Sequence, residues 1–136
     1  MSSVDNKLHA QLSERMVGYP PRSQDNVKDP LVVAKLFDVA GSATWWLTEY
    51  DPEERIAFGY VTGMACDEWG YASIDELADL WMSFVRDSRR NLLRVETTQR
   101  GIGIPRIELD RHFVPRPFSE VKASIARYAA HCHLPC

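Results

Sequence analysis

The sequence ATWWLTEYDPEERIAFGYVT, residues 43–62, decides the fold. Its first part, residues 43–50, has the period of two that is typical of a β-strand. The period puts Ala43, Trp45 and Leu47 on one face and Thr44, Trp46, Thr48 and Tyr50 on the other. Asp51 and Pro52 then supply turn chemistry, and residues 56–62 alternate again. The stretch therefore predicts two antiparallel strands joined by a tight turn.

Further strands are predicted on either side of this pair. Residues 31–37 form an apolar run rich in β-branched side chains, which is typical of a buried strand. Residues 92–98 and 106–110 also have the pattern of extended chain. Because the links between the strands are short, we expect an antiparallel sheet of four to five strands.

Two helices are predicted to pack on the sheet. Ser73 and Glu76 form a capping box, and apolar residues behind it recur at helical spacing, which predicts a helix over residues 74–90. Ser119 is the expected cap of a C-terminal helix. The predicted fold class is therefore α+β, an antiparallel sheet with two packed helices.

Length and composition indicate one domain. The 136 residues are 45% hydrophobic and 26% charged, which is ordinary for a globular chain. We expect residues 1–30 to be irregular apart from one short helix, and residues 131–136 to form a tail. The N-terminus lacks the order of a signal peptide, and no apolar run is long enough to span a membrane. We therefore expect a cytoplasmic protein without membrane contact, and three reduced cysteines.

Charge is distributed unevenly along the chain. Residues 38–79 hold ten acidic side chains and one basic side chain, a formal balance of −9. Residues 80–136 hold ten basic and five acidic side chains, a balance of +5. Such asymmetry either marks interaction surfaces or is neutralised where the two regions pack together. Since the whole chain is acidic, a role in nucleic-acid binding is less favoured.

Several blocks of the sequence together resemble a known family. The blocks are Asp29-Pro30, Lys35-Leu36-Phe37, the run from Ala43 to Glu54, Phe58-Gly59, the run from Glu68 to Leu77, the run from Ile107 to Phe113, and Phe118-Ser119-Glu120-Val121. In this order they resemble the bacterial family known as domain of unknown function 2958, over about residues 12–121. The resemblance implies a short protein of plasmids, phages and integrative elements, and it implies no reaction, cofactor or partner.

One segment departs from the family pattern. In the family the capped helix is short, and a turn soon leads into the block that begins at Ile107. Here residues 81–99 lie between them and carry four arginines. We interpret residues 81–99 as an insertion relative to the family.

Four arginines are candidate partner-binding residues. Arg86, Arg90 and Arg94 are spaced by four, so they would line one face if the predicted helix continued, with Arg89 beside them. That face could bind the carboxylates of a partner protein or the phosphates of a nucleic acid, or it could simply be solvated. Trp46 is a further candidate. Trp45 and Trp46 must face opposite sides of the sheet, so both cannot lie in the same core, and an exposed Trp could anchor a partner.

Three carboxylates are candidates for catalysis. Glu108 and Asp110 are two apart on a predicted strand and so share a face, and Glu49 lies on another strand. Together they could form a metal site or an acid/base pair. Otherwise they pair with neighbouring arginines or face water.

The end of the chain holds residue types that bind metals. These are His131, Cys132, His133 and Cys136. Zinc needs four tetrahedral ligands, and one short tail rarely supplies them, so we expect no metal or other cofactor. The sequence also lacks a phosphate-binding loop and the motifs of zinc proteases and serine hydrolases.

The leading hypothesis is therefore a non-enzymatic accessory protein of a mobile genetic element that binds another protein. Interference with a host defence system is one form of such binding. The alternatives are a small metal-dependent enzyme that uses Glu49, Glu108 and Asp110, and a nucleic-acid binder that works through Arg86 to Arg94.

Overall fold

The computed structural model describes residues 6–97 and 100–132, and of residues 96–97 and 128–132 it describes the backbone alone. Three helices and ten strands lie in these residues. In chain order they are α1 (Lys7–Arg15), β1 (Leu31–Val32), β2 (Ala34–Asp38), β3 (Thr44–Asp51), β4 (Ile56–Thr62), β5 (Glu68–Ser73), α2 (Ile74–Ala78), β6 (Trp81–Arg86), β7 (Leu92–Thr97), β8 (Ile104–Pro105), β9 (Ile107–Leu109), β10 (Arg116–Pro117) and α3 (Phe118–Cys132).

The largest sheet has five strands in the order β5–β4–β3–β2–β9, and all neighbours in it are antiparallel. The predicted α+β class and the antiparallel sheet are confirmed. Helix α1 covers one face of this sheet, where Leu8 and Leu12 belong to the same buried cluster as Trp45 and Leu47. Two smaller sheets complete the fold, β1 with β10 and β7–β6–β8.

A β-bulge in β3 changes the face on which Tyr50 lies. The register between β3 and β4 shifts between Leu47 and Glu49. The extra residue reverses the alternation that follows it, so Tyr50 joins the core on the α1 side. The prediction that Tyr50 shares the face of Trp46 is therefore wrong, because simple alternation assumes an unbroken ladder.

The helix predicted over residues 74–90 is wrong beyond its first turn. The capping bond is present, since the Glu76 amide donates to Ser73 Oγ at 3.3 Å. The helix nevertheless ends at Ala78, and residues 81–86 form β6, which pairs with β7 without a bulge. Trp81, Phe84 and Val85 in β6 are aromatic or β-branched, which favours a strand, and β6 pairs with β7 across a turn of five residues.

Helix α3 is capped by a residue far away in the sequence. The Asp29 carboxylate accepts from the Ser119 amide at 2.8 Å and from the Ser119 hydroxyl at 2.6 Å. The C-terminal helix is as expected, but Ser119 lies inside it and Asp29 serves as its cap. None of the helices in the described part of the chain has the length and apolar content needed to cross a lipid bilayer.

Arg106 joins the base of the three-stranded sheet to the body. The Arg106 amide donates to the Leu80 carbonyl at 2.8 Å, and the Arg106 carbonyl accepts from the Val39 amide at 2.8 Å. The Arg106 guanidinium also forms an ion pair with Asp38, with Nη2 and Oδ2 2.5 Å apart. These bonds join the end of β2 to the point where the chain leaves for β6 and returns after β8.

The expectation of reduced thiols is wrong at Cys66. Cys66, in the turn between β4 and β5, is disulfide-bonded. Sparse cysteines with no regular spacing do not reveal a bond that depends on which parts of the chain meet.

Candidate functional site

Strands β6 and β7 with the turn between them, residues 81–97, form a hairpin that we name the hairpin arm. Met82 near its base is buried, with 5% of its surface exposed. From Phe84 to Val95, every side chain is exposed except Asp87, which is half-buried. The arm therefore presents most of its length to solvent.

The hairpin arm and the loop after it concentrate exposed apolar side chains. Fourteen large apolar residues are exposed in the described part of the chain, and seven of them lie between residues 84 and 104. The seven are Phe84, Val85, Leu92, Leu93, Val95, Ile102 and Ile104, each 41–58% exposed. Single exposed apolar residues are common, but a concentration of them in one short segment favours an interaction surface.

Apolar side chains lie on both faces of the arm. Val85 is opposite Leu93, and Phe84 is opposite Arg94, in the ladder between β6 and β7. Because opposed residues share a face, Leu93, Val95 and Val85 are together on one side, and Phe84 and Leu92 are on the other. Neither face is covered over its outer half.

The tip of the arm is a hydrogen-bonded turn built on Asp87. Its Oδ1 accepts from the amides of Arg89 at 2.9 Å and Asn91 at 2.8 Å. The pKa of Asp87 is lowered, and the hydrogen bond from the Asn91 amide is the largest cause. Burial, the next largest effect, opposes it, and hydrogen bonds from the Arg89 amide and the Asn91 side chain lower the pKa further. The acid of the tip therefore serves to shape the turn. Arg90 completes the turn in the left-handed region, at φ +68°.

The four candidate arginines do not line a helical face, because no helix exists there. Arg86 ends β6 and its Nη1 donates to the Arg90 carbonyl across the turn at 2.9 Å. Arg94 lies on β7, and its Nη1 donates to the Ala40 carbonyl at 2.7 Å. Arg89 and Arg90 are in the turn itself. The structure thus gathers Arg86, Arg89 and Arg90 at the tip, whereas Arg94 holds the arm against the body.

The acidic and basic regions meet partly within the chain. Arg106 pairs with Asp38, and Arg100 Nη1 lies 3.6 Å from Asp79 Oδ1. The three arginines at the tip make no ion pair with any acid in the described residues. The tip therefore keeps a positive charge that is available to a partner.

Trp46 has a different environment from the one predicted for a partner anchor. Its ring lies beneath Lys35, whose Nζ is 4.8 Å from the ring centre, and meets Phe113 edge-on at 6.0 Å. Its Nε1 donates to Thr62 Oγ1 at 3.1 Å. These contacts cover the indole, so we do not include Trp46 in the candidate surface.

Glu49 is buried and holds a loop in place. Its two carboxylate oxygens accept from the Arg22 amide at 2.9 Å and the Gln24 amide at 3.0 Å. Gln24 in turn bonds Leu31 and Thr48, so this segment is bound to β3 through several hydrogen bonds. A carboxylate occupied in this way by backbone amides is a structural group.

The structure does not bring the three candidate carboxylates together. In the sheet Glu108 lies opposite Phe37, and Phe37 lies opposite Thr44. Glu49 is five residues along β3 from Thr44, so at the rise of a β-strand it lies roughly 15 Å from Thr44 along the strand. Glu108 is exposed on β9. Asp110 accepts from the His112 amide at 2.9 Å and lies 3.7 Å from Lys35 Nζ.

The described residues do not form a metal site either. Among them, no three His, Cys, Asp or Glu side chains lie close enough to hold an ion. The weak candidates at the end of the chain fall outside this observation, since His133 and Cys136 are not described and the side chains of His131 and Cys132 are not described either.

Sequence reasoning missed the apolar residues of the arm. The helix predicted over residues 74–90 includes Phe84 and Val85 among the apolar residues at helical spacing, which implied that they pack on the sheet, and only the arginines were taken as candidates for binding. A signal was present, because Asp87 and Asn91 bracket a polar stretch between two apolar runs, which is typical of a hairpin turn.

The chain belongs to the family described as "Protein of unknown function (DUF2958)", which it matches over residues 4–99. The expected family is thereby confirmed. The match includes the hairpin arm, and our interpretation of residues 81–99 as an insertion stays a prediction. No curated protein and no solved structure matches the chain.

Proposed function

We propose that this protein is a binding protein without catalytic activity, and that the hairpin arm is the surface that contacts its protein partner. The observation that carries the proposal is the group of seven exposed apolar side chains on the arm and the loop after it. Burial of exposed apolar surface is the dominant favourable contribution to most protein–protein association. The positive tip favours a partner whose surface is acidic.

The proposal includes a setting, which rests on the family resemblance alone. We propose that the protein is cytoplasmic and serves as an accessory protein of a plasmid, phage or integrative element. In that setting the partner is a host protein, and interference with a host defence system is the purpose of the binding.

The other two hypotheses find less support. Glu49 already accepts two backbone amides, and it lies far from Glu108 and Asp110. Arginines grouped at one tip, beside apolar side chains and on an acidic chain, do not form the long basic groove that tracks a nucleic-acid backbone. No second function is therefore proposed.

The test compares three tagged full-length proteins in nuclease-treated lysate of a bacterial host. They are the wild type, the arm variant Leu93→Ser/Val95→Ser, and the control Val17→Ser, which alters an apolar residue that is 74% exposed elsewhere. We expect one protein to be captured in equal amount by the wild type and the control, and to be lost with the arm variant. Thermal unfolding of all three should agree within a few degrees, because the altered side chains are exposed.

Two results would contradict the proposal. One is a partner that the arm variant captures as well as the wild type does. The other is a wild type that retains no protein at all.

A further inference from the structure

Strand β7 is an open edge of its sheet. In the strand order β7–β6–β8 it lies at one end, and no strand in the described residues pairs with its outer side. Outer backbone amides and carbonyls of such a strand are available to another chain. Over six residues, β7 offers an edge roughly 20 Å long.

The other edge strands of the two larger sheets are short or contain proline or glycine, whereas β7, although it carries Arg94 and Glu96, is neither short nor interrupted. The opposite edge of the same sheet, β8, has two residues and contains Pro105. The edge strand β9 has three residues, and the edge strand β5 has Gly70 near its centre. By contrast β7 has neither proline nor glycine, and its ladder with β6 is regular from end to end.

Apolar side chains flank this open edge on both faces. Leu93 and Val95 lie on one face and Leu92 on the other, and they are 47%, 41% and 58% exposed. A strand added beside β7 would place its own alternate side chains next to these residues. Such a strand should therefore have apolar residues at alternate positions.

Charge sets a second requirement on the added strand. Arg86, Arg89 and Arg90 are exposed at the end of the arm where β7 begins, and the one acid of the tip, Asp87, is engaged in the turn. An added strand with acidic residues at this end would be attracted, and a basic strand would be repelled.

We infer that the partner contributes an extended segment, apolar at alternate positions and acidic toward the tip, which pairs with β7 as an additional strand. This inference rests on the proposed function, and it specifies how the arm binds. Main-chain hydrogen bonds to the edge would supply affinity, and the flanking apolar and basic side chains would supply selectivity.

The test uses a displayed library of random twelve-residue peptides, selected on the full-length wild-type protein. We expect the selected peptides to alternate apolar residues with others and to carry acidic residues near one end. A synthetic peptide of the selected sequence should slow hydrogen exchange at alternate amides of β7, because strand addition occupies every second residue of the edge. The variant Arg89→Ala/Arg90→Ala should weaken its binding roughly tenfold, and Val17→Ser should leave it unchanged.

Other outcomes separate the two proposals. Selected peptides without alternation, the absence of any selected peptide, or a bound peptide that protects no amide of β7 would overturn strand addition. If the partner captured through the arm also leaves the β7 amides unprotected, the arm is a binding surface that uses its side chains alone. If capture does not depend on the arm, the proposed function fails as well.

Discussion

Asp38 and Arg106 form a two-pronged ion pair, with Nη2 2.5 Å from Oδ2 and Nε 3.2 Å from Oδ1. Only 8% of the Asp38 side chain and 18% of the Arg106 side chain are exposed. The pair lies where the three-stranded sheet joins the five-stranded sheet, so it fixes the base of the hairpin arm on the body.

Removal of the Asp38 charge should destabilise the fold. In Asp38→Asn the largely buried guanidinium loses the Asp38 charge, and we expect the free energy of unfolding to fall by about 3 kcal/mol. Urea denaturation measures the change. The matched control is Asp79→Asn, which breaks the more exposed pair with Arg100 and should cost less than about 1 kcal/mol. Equal effects of the two variants would mean that burial of the Asp38 pair contributes nothing.

Arg90→Gly should separate stability from binding. Arg90 adopts φ +68°, a conformation that glycine accepts without strain. We therefore expect the free energy of unfolding to rise by about 0.5–1 kcal/mol, after allowance for the greater freedom of glycine in the unfolded chain. Partner binding should weaken at the same time, because a charge of the tip is lost. A more stable variant that binds as well as the wild type would remove Arg90 from the binding surface.

Glu49→Gln should loosen the segment before β1. An amide side chain has one acceptor oxygen in place of two and no charge, so one of the two bonds from Arg22 and Gln24 is lost. We expect a loss of about 1–3 kcal/mol in the free energy of unfolding, with faster hydrogen exchange at these two amides. Capture of the partner should be unaffected in the folded variant. A variant of wild-type stability that lost a copurifying metal ion would instead support the enzyme hypothesis.

His9 should make stability depend on pH. Burial lowers the pKa of His9 below its ordinary value of 6.5, and the positive charge of Arg55 lowers it further, against a smaller opposite effect of Asp75. Since the unfolded chain takes up this proton at higher pH than the native chain, the stabilisation is complete above pH 6.5 and is lost as the pH falls below it. Urea denaturation at pH 7.5 and pH 5.5 should show the loss. In His9→Gln, which can still bond the Tyr50 hydroxyl, the difference between the two pH values should be smaller.

The sequence predicts the central strands of the five-stranded sheet well, because the patterns that indicate them involve residues close together in the chain. The alternation around Trp45 and the Asp51-Pro52 turn need only neighbouring residues, and both are present in the structure. The cap that Asp29 gives to α3 comes from 90 positions away in the sequence, and no local pattern reveals it. The bulge at Thr48 depends on how β3 pairs with β4. The pairing of β6 with β7 is local, but the capping box at Ser73 and the helical spacing behind it favoured a helix, so the arginines of the arm were placed on one.

The candidate site was predictable only in part. A spacing of four along a predicted helix identified Arg86, Arg90 and Arg94, with Arg89 beside them, and the structure keeps Arg86, Arg89 and Arg90 together at the tip. Their apolar neighbours were hidden, because helical spacing and strand spacing both fit a short apolar run. Exposure on two faces of one hairpin becomes visible only when the fold is known.

The hydrogen bond between the Arg106 amide and the Leu80 carbonyl has a consequence for how this family can diversify. Residues 81–105, twenty-five in all, leave the body after Leu80 and return to it at Arg106, and this bond holds the two ends of the segment together. A segment with coincident ends can be lengthened, shortened or exchanged, and the strands beneath it need not move. The rest of the protein therefore serves as a scaffold, and hairpins of different sequence at this position would bind different partners without a change in that scaffold.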